Sequence, residues 1–141
     1  MNGITFHVPG DVVPWARAGK HGKVQFTPGK QRNYMGVIRD FCSQAMCDRP
    51  LFEGPVRLTI AAVYPWPKTV TKKRLASIDG AWKSTKPDGD NIAKIVKDSM
   101  NKIAFVDDAQ CAVTTVFKVY GDKPGLRVTL ESLEGIQAPI A

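Results

Sequence analysis

Residues 86–110, KPDGDNIAKIVKDSMNKIAFVDDAQ, concentrate the side chains best suited to chemistry. Two acidic groups, Asp88-Gly89-Asp90 and Asp107-Asp108, flank a stretch that also carries Lys94 and Asp98. Ile92, Ile95, Val96, Ser99, Met100 and Ile103 recur at i, i+3, i+4, i+7, which predicts a helix starting at Asp90 with these residues on its buried face. Asp90 can cap that helix, and Asp90, Lys94 and Asp98 then lie one turn apart along a common face. A helix over 91–101 is roughly 16 Å long. An extended run over 103–107, at about 3.3 Å per residue, covers a similar distance. If it runs back along the helix, the second acidic pair arrives beside the first. Carboxylates gathered this way repel one another and require a cation or open solvent.

Several chemistries fail on spacing. A calcium loop beginning at Asp88 would need Gly where Ala93 stands and Glu where Ser99 stands. No GxGxxG or GxxxxGK[ST] occurs, so no nucleotide cofactor is expected. His7 and His21 form no constellation with a nucleophile. Two readings stay open from spacing alone. Asp90 is a helix cap and Asp107-Asp108 a turn before a strand, or the carboxylates are oxygen ligands for Mg²⁺ beside a lysine, which suits phosphodiester hydrolysis.

The elements that must position these residues read as follows. Ile4, Phe6 and Val8 alternate in a strand over 3–9 that ends at Pro9-Gly10. A loop rich in Gly, Pro and basic residues spans 10–23, with a short strand at 24–26. Thr27-Pro28 then opens a helix over 29–46, with Tyr34, Val37, Ile38, Phe41 and Ala45 at helical spacing. Alternation of Val56, Leu58, Ile60, Ala62 and Tyr64 gives a strand over 55–64, stopped by Pro65-Trp66-Pro67. Residues 65–87 form a basic loop with a short helix at 70–77. It carries Lys68, Lys72, Lys73, Arg74, Lys83 and Lys86 against Asp79 alone, with Trp66 and Trp82 interleaved. Those indoles could stack on unpaired bases or serve as core anchors. Strands over 111–120 and 126–133, joined at Gly121–Gly125, read as a hairpin. The tail over 135–141 is expected to fray. The sum is a small α+β domain with a mostly antiparallel or mixed sheet and two main helices on one face.

Composition bounds the rest. A chain of 141 residues is one domain, and 43% hydrophobic content supplies a core. No apolar run approaches the roughly 20 residues of a membrane span, and the N-terminus shows no secretory signal. Cys42, Cys47 and Cys111 are odd in number and lack CxxC spacing, so they read as reduced, mostly buried thiols of a cytoplasmic protein. The formal net charge of +7 suits a polyanionic partner.

The run Pro87-Asp88-x-Asp90-Asn91-x-x-Lys94, then Asp98, then Asp107-Asp108-x-Gln110, resembles the signature of the RusA family of Holliday junction resolvases. The resemblance extends over about residues 3–133, with 86–110 its specific part. It implies a homodimeric endodeoxyribonuclease, dependent on Mg²⁺ with Mn²⁺ able to substitute, that resolves four-way DNA junctions by paired nicks. Because family members are common in phages and prophages, it is compatible with a phage gene expressed in a bacterial cell. Carried over by position, Asp88, Asp90 and Asp108 are the catalytic, metal-binding carboxylates, with Asp107 an additional ligand or orienter. Lys94 acts on the scissile phosphate, Asn91 supports the site, and Asp98 positions Lys94. Beside such a signature the cations of the 65–87 loop read as DNA contacts. The alternatives are a non-catalytic module for branched or single-stranded DNA, and a flap or fork nuclease of similar chemistry.

Overall fold

The computed structural model describes residues 2–17, 28–68 and 80–140. The short strand at 24–26 and the helix at 70–77 lie outside these residues. In chain order the elements are β1 (Gly3–Pro9), α1 (Pro28–Met46), β2 (Val56–Tyr64), α2 (Gly89–Met100), a single 3-10 turn (Asp108–Gln110), β3 (Cys111–Tyr120) and β4 (Gly125–Ser132). They form an α+β domain with a four-stranded mixed sheet in the order β1-β4-β2-β3.

Alternation sets the sheet's two faces. Ile4, Phe6 and Val8 of β1, Leu58, Ile60 and Ala62 of β2, and Leu126, Val128 and Leu130 of β4 are buried on one side. Ile38 and Cys42 of α1 and Ile92, Ile95 and Val96 of α2 are buried in the same core. No helix among the described residues is long and apolar enough to cross a membrane.

The expected hairpin is not formed. β4 lies antiparallel between β1 and β2, while β3 runs parallel to β2 at the far edge. β4 buries Leu126, Val128 and Leu130 within the sheet, whereas β3 leaves Val113 and Phe117 exposed at its edge. Gly125 permits the seating against β1, because a Cβ there would stand 2.7 Å from the Val8 carbonyl oxygen. The parallel β2–β3 pair requires a crossover, and α2 lies within it. That topology lays α2 beside β3, where Gly89 faces Val116.

All three cysteines are free. Burial pushes the Cys42 thiol up to about 12. Cys111 is half-buried, but Cys47 is exposed, contrary to expectation, because α1 ends at Met46 and the chain turns there with a left-handed φ of 52°.

Candidate active site

The start of α2 differs from the sequence reading by two residues. Asp88, not Asp90, occupies the N-cap position, with extended backbone (φ −68°, ψ 144°), and its carbonyl accepts from the Asn91 and Ile92 amides at 3.1 and 3.4 Å. Its side chain makes no capping bond and pairs instead with Lys86 at 3.1 Å. Asp90 therefore falls in the first helical turn, where its charge suits the helix dipole and its carboxylate is free of the capping role. From β3, the Lys118 ammonium donates to the carbonyls of Thr85 and Pro87 at 2.7 and 2.8 Å. That pair of bonds fixes the backbone leading into Asp88.

Along α2, Asp90, Lys94, Lys97 and Asp98 line a cleft of about 560 Å³ that is closed by Asp108 from the 3-10 turn and by Thr114 and Val116 from β3. One member of each acidic pair thus reaches this cleft. Asp88 and Asp107 are not part of its lining. Lys94 pairs with Asp98 at 3.4 Å, and its ammonium stands 4.9 Å from the centre of the Trp15 ring. Trp15 is in turn tied to α2, its amide donating to the Asn91 carbonyl at 3.0 Å. Asn91 contributes through this backbone contact.

The cleft is electrostatically crowded. The carboxyl of Asp108 is held above its ordinary pKa, first by desolvation, then by its hydrogen bond and charge interaction with Asp107, and further by the charge of Asp98. Lys97 acts in the opposite direction. Thr114 Oγ1 is buried with no hydrogen-bond partner among the described residues, a polar atom that a water or substrate oxygen in the cleft would satisfy. Asp107 itself caps the 3-10 turn, its Oδ1 accepting from the Ala109 amide at 3.4 Å. Lys97, Thr114 and Trp15 were not singled out in the sequence. Only Lys97 carried a signal, as a cation one turn beyond Lys94.

The basic residues expected to meet DNA divide into three groups. Lys68 is exposed. Lys83 is engaged within the fold, donating to Thr85 Oγ1 at 2.8 Å and lying 5.0 and 5.2 Å from the Tyr64 and Tyr120 rings, and Lys86 holds Asp88. Lys72, Lys73 and Arg74 lie outside the described residues. Of the two indoles, Trp82 is 69% exposed and stacks on Phe117 with ring centres 6.0 Å apart. The Trp66 indole nitrogen is buried.

Among the described residues no three His, Cys, Asp or Glu side chains stand close enough together to hold a metal ion. In kind, however, the cleft suits a hard divalent cation, since the donors that Asp90, Asp98 and Asp108 bring to it are carboxylate oxygens.

Two comparisons with known proteins bear on the family of the chain. The family model described as endodeoxyribonuclease RusA matches residues 9–131. The uncharacterized protein YqaN of Bacillus subtilis (strain 168) is 32% identical over 143 residues, a match that takes in 94% of this chain and 99% of that protein.

Proposed function

Because the chain belongs to the RusA family of endodeoxyribonucleases, we propose that it is a Mg²⁺-dependent, structure-selective nuclease that resolves four-way DNA junctions by paired, symmetric nicks. The observation that carries this reading is the meeting of Asp90, Asp98 and Asp108 with Lys94 and Lys97 in one cleft. Nucleases of this family are generally dependent on divalent metals.

In this reading Asp90 and Asp108 hold the cation. Asp88 joins them by exchanging Lys86, since an ion pair as exposed as theirs contributes little and is readily given up. When bound, the cation supplies positive charge against the scissile phosphate and acidifies water at the site. Lys94 stabilises the charge that develops on the phosphate oxygens during attack. Asp98 and the Trp15 ring keep its ammonium over the cleft. Thr114 Oγ1 offers a hydrogen bond to whatever oxygen enters beside Asp108. The cations of the 65–87 loop, Lys68, Lys72, Lys73 and Arg74 foremost, contribute sequence-independent phosphate contacts.

The decisive experiment is cleavage of a panel of branched duplexes at equal salt, with Mg²⁺, with Mn²⁺ and with EDTA. Metal-dependent paired nicks in the four-way junction support the reading. Preferred cutting of flaps or forks moves the substrate assignment, and binding without cutting makes the protein a branched-DNA binding module.

The substrate's symmetry carries a second expectation. A chain with one such cleft cuts two opposed strands most simply as a C2 homodimer, whose axis matches that of the junction. A mixed dimer with one Asp90→Asn chain should then nick junctions once without releasing linear duplexes. Light scattering with and without junction reads the oligomeric state. A monomer that still makes paired cuts would overturn the dimer.

A further inference from the structure

Gln110 is connected to more of the site's framework than any residue that lines the cleft. Its Oε1 accepts from the Val106 amide at 2.9 Å and the Asp107 amide at 3.1 Å. Its Nε2 donates to the carbonyls of Phe52 and Gly54, both at 2.9 Å. A carboxamide has two acceptor directions and two N–H groups, so every hydrogen-bonding position of this side chain is filled. The two amides belong to the backbone just before Asp108, and the two carbonyls to the segment leading into β2, 58 and 56 residues away in sequence. A further bond from the Phe52 amide to the Ala104 carbonyl, at 2.8 Å, joins the same two segments.

We propose that Gln110 is a positioning residue: its amide locks the 3-10 turn against the start of β2 and thereby aims the Asp108 carboxylate into the cleft. The inference rests on the functional reading above. It follows from the chemistry of the contact. The 3-10 turn on which Asp108 sits is three residues long. A turn that short has few internal bonds, and the Gln110 side chain adds two to the backbone that enters it and two that tie it to the start of β2. Glu in place of Gln removes both donors and sets a carboxylate against two carbonyls. Met keeps the length and loses all four bonds.

Gln110→Met and Gln110→Glu, made in the full chain and checked for folding by circular dichroism, test the role. Hydrogen exchange at Val106 and Asp107 should accelerate in both. Calorimetric affinity for Mn²⁺ without DNA should fall by about 10- to 100-fold, the usual cost of losing a partner that orients a metal ligand. Junction binding in Ca²⁺ should stay within about twofold, because phosphate contacts made elsewhere carry it. Since the Asp108 carboxylate itself remains, saturating Mn²⁺ should restore most of kcat in Gln110→Met, which a loss of general structure would not allow. Unchanged Mn²⁺ affinity in folded variants overturns the inference alone. A wild-type protein that neither binds Mn²⁺ nor cuts any junction overturns the functional reading and the inference with it.

Discussion

Asp108→Asn should lower junction cleavage by about 100-fold or more, since even the outer partners of metal ligands are worth 10- to 100-fold. Binding of the uncut junction should be unchanged or slightly tighter, because the substitution removes negative charge from a surface that meets phosphate. Its effect on stability separates this loss from misfolding. The folded pKa of Asp108 lies above its ordinary value, so the ionised form is disfavoured in the native state. That penalty is fully present at neutral pH and disappears below the unfolded pKa, near about 3.9. Asp108→Asn should therefore melt at or above the wild-type temperature at pH 7, and the difference should close on acidification. Gel rates at neutral pH, with melting curves across pH in parallel, check both. Wild-type cleavage by Asp108→Asn would remove the residue from the catalytic set.

Lys94→Ala should reduce kcat by about 10²- to 10³-fold, the range seen when one donor to a developing oxyanion is removed. Junction affinity should change far less, because the interaction is strongest in the transition state. Little stability is at stake, since the Lys94–Asp98 pair is exposed enough for solvent to screen it. The pair nevertheless predicts coupling. If Asp98 acts by holding the ammonium, Asp98→Asn should lower kcat in the wild-type background and change little once Lys94 is Ala. Single-turnover rates and equilibrium binding for the four proteins of that cycle provide the measurement. Loss of binding alone would make Lys94 an ordinary phosphate contact, and additive effects would sever Asp98 from it.

What the sequence determined is what short-range geometry controls. The i, i+4 spacing of Asp90, Lys94 and Asp98 places them along one face of α2 because helical hydrogen bonds fix the rotation per residue, and the apolar residues between them fix which face is buried. The α+β class was legible for the same reason, from the alternation in β1, β2 and β4 and the helical period of α1 and α2. The family was legible from the charged residues, Asn91 and Gln110 at their offsets within 86–110.

Tertiary structure decided which residues distant in sequence become neighbours. Adjacent strands suggested a hairpin between β3 and β4, but β4 took the place between β1 and β2, where Gly125 admits the close approach of the Val8 carbonyl. Of the two acidic pairs, only Asp90 and Asp108 reached the cleft, because the backbone of Asp88 forms the N-cap of α2 and Asp107 caps the 3-10 turn. No local pattern foretold that the Gln110 amide would meet the carbonyls of Phe52 and Gly54, nor that Trp15 would cover Lys94. Those contacts join segments whose separation along the chain carries no periodicity, and they exist only once the burial of the sheet's inner face has fixed where each segment lies.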